Sequence, residues 1–325
     1  MNTEYAKQIN ILIFGCGLIG FRHLESFLKS KYNLNIYVVE KNSKRILELK
    51  NIIQNNKQNK IKIFFYKKII DFKTPFYLGI VATNSSERLD SLKNLLKKNI
   101  IEYLILEKLL SSNLSDLKKM KNLIVKKQTN IYVNTPRRFM KVYRDIKKLI
   151  HKNDLVSINF TGSGWNFASN TIHFIDLFAF LSGNHNLKKG SVRILDKIKS
   201  KRSGYSEFYG SMYLYNDDGA VLELSDFKQK SIPSLVIQTK KYKFVIYEAY
   251  GIYFQISIKN SQDIKINKFK IEYQSTLTYQ YLDCLYKNKS LNLPTFDESY
   301  LQHLIFYELF FNQIENKSLQ NIQIS

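Results

Sequence analysis

The sequence predicts an α/β chain whose first half is a doubly wound parallel sheet. Its second half is an α+β domain with a large, mainly antiparallel open sheet. Three observations predict this. Short apolar runs alternate with helical periodicity through residue 134, a glycine-rich turn follows the first run, and beyond Ser191 the hydrophobic period becomes two. The length of 325 residues suits two domains, 1–134 and 135–325. The closing helix, 295–312, is free to pack back on the first.

Residues 10–14 form a short apolar run that reads as a buried parallel strand. It stops at Gly15-Cys16-Gly17-Leu18-Ile19-Gly20, a G-x-G-x-x-G turn leading into a helical pattern over 18–30. Gly15 allows the tight turn, Gly17 lets the backbone approach a pyrophosphate, and Gly20 lets the helix pack close on the strand. The N–H groups of that helix start then hold the phosphates. A second strand, 34–39, ends in Glu40, an acid placed to accept hydrogen bonds from adenosine ribose hydroxyls. NAD is the expected cofactor. NADP is the alternative, since Lys41, Lys44 and Arg45 could receive a 2′-phosphate.

Behind a Ser43 cap a helix follows, then the polar stretch 54–60 and strands at 61–65, 77–81, 101–106 and 130–133. Helical patterns on Leu89, Leu92 and Leu96, and on Leu117, Met120 and Ile124, separate the later strands. Ligands of such sheets bind beyond the carboxyl ends of the strands. The glycine turn, Glu40, Thr83-Asn84-Ser85-Ser86 and Glu107-Lys108 all fall there, so Thr83, Asn84, Ser85, Glu107 and Lys108 join the cofactor set. Lys108 either turns into solvent or, beside a nicotinamide, stabilises an alkoxide forming on a substrate.

Arg137 and Arg138 leave the sixth strand after Pro136. They either fork onto a substrate phosphate or carboxylate, or are solvated charges at a hinge. A helix on Val142, Ile146 and Leu149, a strand at 155–161 and the loop with Trp165 lead to a helix over 168–181. That helix closes at Gly183-Asn184. His173 and Asp176 share one of its faces, where the carboxylate can orient the imidazole; a structural histidine is the plain alternative. Trp165, Ser169, Asn170 and Asp176 are counted with the arginines as substrate contacts. Strands at 209–215 and 220–224 flank a hairpin turn at 216–219, and strands at 235–237, 243–247 and 252–258 continue the period of two. A helix over 273–286 and a capping box at 295–298 complete the chain.

A net charge of +23 invites a nucleic-acid or membrane reading. The lysines are spread through every segment, however, and the dense cluster at 197–202 is short. They read as solvated faces, with an anionic substrate as the lesser alternative, so neither nucleic acid nor membrane insertion is expected. Cys16 and Cys284 make neither a disulfide framework nor a metal-ligand pattern, and no metal is expected. Residues 1–8 lack a signal-peptide pattern, which points to the cytoplasm.

Taken together these residues resemble the Gfo/Idh/MocA (glucose–fructose oxidoreductase / inositol dehydrogenase) family. The motifs that carry the likeness are Gly-Cys-Gly-Leu-Ile-Gly with His23 following, Val81-Ala-Thr, Glu107-Lys108, His173-x-x-Asp176 and Leu293-Pro-Thr-x-x-Glu298. The resemblance implies hydride transfer between nicotinamide and a ring carbon of a sugar or cyclitol. Lys108 and His173 would then flank that carbon, and His173 or Lys108 would carry the proton. The arginines and the basic balance suggest a nucleotide-linked or phosphorylated sugar used in surface-polysaccharide biosynthesis. The family also implies a homodimer or homotetramer formed through the open sheet face. A non-catalytic dinucleotide- and sugar-binding regulator on the same fold is the alternative. Three departures stand out: Leu109 for the usual Pro, Asn84 and Arg88 for a common Pro and His, and Ser169 for a common acid. A cis bond before a non-proline residue costs roughly 2.5–4 kcal/mol, so a trans Lys108–Leu109 bond and a displaced Lys108 are expected.

Overall fold

In the computed structural model, which describes residues 8–54, 60–125, 128–200, 204–316 and 323–324, the apolar runs become strands with bounds close to those the pattern predicts. The first half runs β1 (Ile9–Phe14), α1 (Leu18–Phe27), β2 (Leu34–Val39), α2 (Ser43–Gln54), β3 (Ile61–Tyr66), β4 (Phe76–Val81), α3 (Arg88–Lys98), β5 (Ile101–Leu106), α4 (Leu114–Ile124) and β6 (Asn130–Val133). The second runs α5 (Lys141–Lys148), β7 (Leu155–Ser163), α6 (Phe167–Ser182), β8 (Leu187–Lys199), β9 (Ser206–Asn216), β10 (Val221–Phe227), β11 (Ser234–Thr239), β12 (Tyr242–Tyr247), β13 (Ile252–Ser257), β14 (Ile264–Lys268), α7 (Gln274–Asn288) and α8 (Phe296–Asn316). Parts of the polar stretch 54–60, the basic cluster 197–202 and the N-terminal stretch 1–8 lie outside the described residues.

The chain divides into two compact units. One takes Met1–Ser111, Ser115–Asn134 and Glu272–Phe296. Its sheet is entirely parallel, in the order β3-β2-β1-β4-β5-β6, with β1 in the interior. Ile11, Leu12, Ile13, Leu78, Ile80, Leu104 and Ile105 are fully buried, as strands covered on both faces require. α2 starts one residue earlier than a Ser43 cap implies. The Asn42 carboxamide oxygen accepts the N–H groups of Lys44 and Arg45 at 3.0 and 3.2 Å, so Asn42 is the cap and Ser43 the first helical residue.

α7, which the sequence reading assigned to the second half, belongs to this parallel-sheet unit. It lies along α1, where the Tyr279 N–H donates to Ser26 Oγ at 2.9 Å and the Tyr32 hydroxyl donates to Asp283 at 2.6 Å. Hydrophobic periodicity shows that such a helix exists, but not which sheet it returns to.

The other unit comprises Ser112–Leu114, Thr135–Ile271 and Asp297–Ser325. Its eight strands lie in the order β14-β13-β12-β11-β7-β10-β9-β8, antiparallel except for the parallel pair β7–β10. Ile158, Leu222, Leu224, Leu214, Leu235, Ile237, Phe244 and Ile246 fill one face. α6 belongs to the same unit and is apolar through its middle: Ile172, Ile175, Leu177 and Phe178 are fully buried. Gly183 closes it in the left-handed region at φ 69°, as the Gly-Asn signal predicts. Strand β14 was not expected; its residues are nearly all exposed, so it lacks the alternation that marks a half-buried strand. Among the described residues no helix is long and apolar enough to cross a membrane.

The glycine corner shows how the parallel sheet fixes a turn. A β-carbon on Gly20 would fall onto the Gly15 carbonyl, whereas one on Gly17 would meet nothing within 4 Å. Gly20→Ala should therefore lower stability by about 1–3 kcal/mol, the range for forced overpacking. Gly17→Ala should melt near the wild type. Thermal unfolding of both variants checks this, and equal losses would contradict it.

Candidate active site

The parallel-sheet unit gathers one set of groups at the carboxyl ends of β1, β2, β4 and β5. Gly15 turns at φ 86°, and a β-carbon on it would strike the Ala82 carbonyl carbon and the Thr83 nitrogen at 2.9 Å. The loop after β4 therefore presses directly on the glycine corner. Gly17 caps α1 without any side-chain hydrogen bond, which leaves the first-turn N–H groups available to an anion. Leu18 stands out at 83% exposure, while Cys16 is buried. Burial, with Glu40 beside it, pushes the Cys16 thiol up to about 12, so it stays protonated and inert.

Glu40 organises this corner. One carboxylate oxygen accepts the Cys16 N–H at 2.8 Å and the other the Asn42 N–H at 2.9 Å. Arg45 Nε donates to the Cys16 carbonyl at 3.1 Å, and its Nη1 pairs with Glu48 at 2.9 Å. After β4, the Thr83 hydroxyl is buried and has no hydrogen-bond partner among the described residues. Such an orphan next to an uncapped helix start fits a bound dinucleotide. Asn84 is exposed and Ser85 buried.

Glu107 goes elsewhere than expected. Its carboxylate faces the interior, 5% exposed, instead of the cofactor loop. His23 Nε2 lies 2.9 Å from it, and the Asn134 carboxamide donates to the same oxygen. His23 Nδ1 lies 2.8 Å from the Thr278 hydroxyl, and Gln274 donates to that hydroxyl at 2.8 Å. Burial would raise the Glu107 carboxyl, but His23, Asn134 and Arg88 outweigh it and hold it below its ordinary value. Lys108 follows, half-buried, at the end of β5. The Lys108–Leu109 bond is cis, not the trans form expected. The carbonyls of Glu107 and Leu109, on either side of it, both accept from Arg88.

In the antiparallel-sheet unit, α6 carries His173, Ser169 and Asn170. Ser169 is buried and Asn170 half-buried, and the Asn170 carboxamide donates to the Trp165 carbonyl at 2.7 Å. The Glu207 carboxylate accepts the Ala168 and Ser169 N–H groups at 3.0 and 3.4 Å, capping the helix. Before it, Asp226 accepts the Gly164 N–H at 2.6 Å. Burial pushes the Asp226 carboxyl up to about 6, against the pull of backbone N–H groups from Gly164 through Phe167.

Four expected substrate contacts are instead part of the scaffold. Trp165 is buried against Phe160, Phe167 and Phe174, and its Nε1 donates to the Ser225 carbonyl at 3.0 Å. Arg137 forks onto Glu248 at 2.9 and 2.8 Å and lies over the Phe174 ring at 4.2 Å. Arg138 reaches Asp176 at 3.2 Å and Glu298 at 3.5 Å. Asp176 has zero exposure and also accepts from Thr135 at 2.9 Å and Gln302 at 3.3 Å. Its carboxylate is therefore held by this set, not turned to orient His173. Arg137 thus forks onto a carboxylate inside the chain, while Arg138 meets its two carboxylates through Nη1. Among the described residues, no group of three or more His, Cys, Asp or Glu could hold a metal.

Sequence reading missed Asp226, Glu207, Glu248 and Asn134. Only Asp226 carried a signal: it stands in the inward phase of β10 with Leu222 and Leu224. Its folded value near 6 lies above its ordinary 3.8, so the folded state holds an extra proton between the two. The stability this provides is full below the lower value and is lost as pH rises through the upper one. Asp226→Asn should therefore show a flatter dependence of unfolding free energy between roughly pH 4 and 6 than the wild type. Equal slopes in urea titrations would refute this.

The family described as "Oxidoreductase family, NAD-binding Rossmann fold", Gfo/Idh/MocA, matches residues 9–135. No curated protein matches the chain in sequence. Among solved structures, an oxidoreductase from Agrobacterium radiobacter in complex with NAD+, L-tartaric acid and magnesium is similar at 13% identity and TM-score 0.71, covering 94% of this chain and 97% of that one. UDP-N-acetylglucosamine 3-dehydrogenase from Acidithiobacillus ferrooxidans gives 8%, 0.70, and 93% and 97% coverage. The super-repressor mutant of Gal80p from Saccharomyces cerevisiae gives 13%, 0.73, and 95% and 97%. At such identities these likenesses establish the shared fold. Residues 9–135, which form the first sheet, match the NAD-binding Rossmann domain of the Gfo/Idh/MocA oxidoreductases.

Proposed function

We propose that the chain is a cytoplasmic NAD-dependent oxidoreductase transferring a hydride to or from a hydroxyl-bearing ring carbon of a sugar or cyclitol. The observation that carries this is the set of groups at adjacent strand ends: the uncapped turn, the Glu40 carboxylate, the orphaned Thr83 hydroxyl and Lys108. A bound nicotinamide would supply the hydride acceptor or donor. The first-turn N–H groups of α1 hold paired phosphates, and Glu40, with lone pairs to spare beyond its two backbone donors, accepts from ribose hydroxyls. Arg45 already serves the Cys16 carbonyl and Glu48, which favours NAD over NADP.

Lys108 donates to the reacting oxygen and stabilises the charge that grows there. His173 takes the hydroxyl proton in oxidation and returns it in reduction. A nucleotide-linked or phosphorylated sugar is the narrower reading. The arginines no longer support it, since both are paired with carboxylates. It rests on the basic balance of the chain and on the fold shared with a UDP-sugar dehydrogenase.

A second reading, a dinucleotide- and sugar-binding regulator, is favoured by Ser169 in place of an acid and by an Asp176 engaged with Arg138. The Gal80p likeness is in keeping with it. Purified protein with NAD and a panel of free, phosphorylated and nucleotide-linked sugars should generate NADH absorbance. Cofactor binding without turnover in either direction would decide for the regulator. Lys108→Ala should lower the rate at least ~10²-fold, the scale of a lost transition-state donor.

We further propose a homodimer or homotetramer assembled through the outer face of the eight-stranded sheet. Ile264 and Ile266 are 52% and 67% exposed there, and Ile266 is in register with Phe254 and then Val245. An uncovered apolar face of this kind marks an association surface. Ile266→Glu should shift the chain to a smaller species in light scattering, and an unchanged mass would count against this face.

A further inference from the structure

Arg88 is a buried cation that serves backbone oxygens from two different loops. It is the first residue of α3, yet only 3% of it is exposed. Its Nη2 donates to the Thr83 carbonyl, at the start of the loop after β4. Its Nη1 donates to the carbonyls of Glu107 and Leu109, on either side of Lys108. The guanidinium is also among the charges that hold the Glu107 carboxyl low. A planar group with five donors in a fixed fork can serve three carbonyls of two loops at once.

The Lys108 turn and the loop after β4 therefore meet on one side chain. Leu109 itself is fully buried. We propose that Arg88 is a positioning residue that stitches the Lys108 turn to the Thr83 loop. One side chain then sets both the cofactor loop and the presentation of Lys108. The inference rests on the Lys108 reading above only for its effect on turnover.

The test uses the full chain carrying Arg88→Met or Arg88→Lys. Three quantities are read on folded protein well below the melting temperature: the Kd for NAD by calorimetry, kcat and KM for a sugar the wild type oxidises, and the rate of reductive methylation of Lys108 by peptide mass spectrometry. Arg88→Met should raise the NAD Kd about tenfold and lower kcat about tenfold to a hundredfold with KM little changed. Its Lys108 labelling rate should shift as well. Arg88→Lys should fall between the two, and it decides the matter if Arg88→Met does not fold.

A folded Arg88→Met or Arg88→Lys with wild-type Kd and labelling would overturn the positioning role, whatever its melting temperature. A wild type that binds NAD but oxidises no sugar would instead remove the functional reading, and the Kd and labelling arms would still decide this one.

Discussion

A carboxylate without water must be answered by fixed donors, and Glu107 is the carboxylate that the parallel-sheet unit is built to answer. Its donors come from distant parts of the chain: His23 from α1, Asn134 just past β6, and the charge of Arg88 from α3. Those donors are themselves held by α7 through Thr278, Gln274 and Tyr281. This explains why a segment some 250 residues beyond α1 (Thr278 against His23 is a separation of 255) belongs to the first sheet. The same arrangement fixes the backbone at Lys108, because the residue before it cannot turn without leaving a buried charge unpaired.

The antiparallel-sheet unit uses the same device around α6. Glu207 accepts the first N–H groups of the helix and Asp226 those of the loop before it. Asp176 anchors the helix middle through Thr135, Arg138 and Gln302. Arg137 clamps Glu248, to which the Tyr143 hydroxyl also donates. Acids on this unit thus hold the frame that carries His173, and the basic residues nearest to them are spent on neutralising that frame. Ser169, Asn170 and the half-buried His173 stand in the first two turns of α6.

Most of the fold was legible because its signals are local. The strand runs, the G-x-G-x-x-G turn, the Gly183 cap and the 216–219 hairpin each depend on a few neighbouring residues. Glu40 was legible for the same reason, standing at a fixed offset from the turn. The buried networks were not. Nothing near Arg137 says that Glu248 will meet it, and nothing near His23 announces Thr278. Asp176 shows the hazard most plainly: its spacing from His173 is right for a pair on one helix face, yet zero exposure and three other partners claim it. Intrinsic peptide preference predicts a trans Lys108–Leu109 bond, and the bond is cis.

The two buried acids that matter most shift in opposite directions, and the difference follows from their donors. Glu107 is met by side chains that favour its charged form, so its contribution to stability is present above the ordinary carboxylate range and is lost only as pH falls through its lowered value. Asp226 is met by backbone N–H groups alone, which do not outweigh its burial, and its carboxyl rises to about 6. The consequence is a division between the two units. The Lys108 turn is held by a charge that stays fixed across the neutral range. The loop that leads into α6 is held by a carboxyl that burial pushes up to about 6, so its contribution to stability changes with pH just below the neutral range.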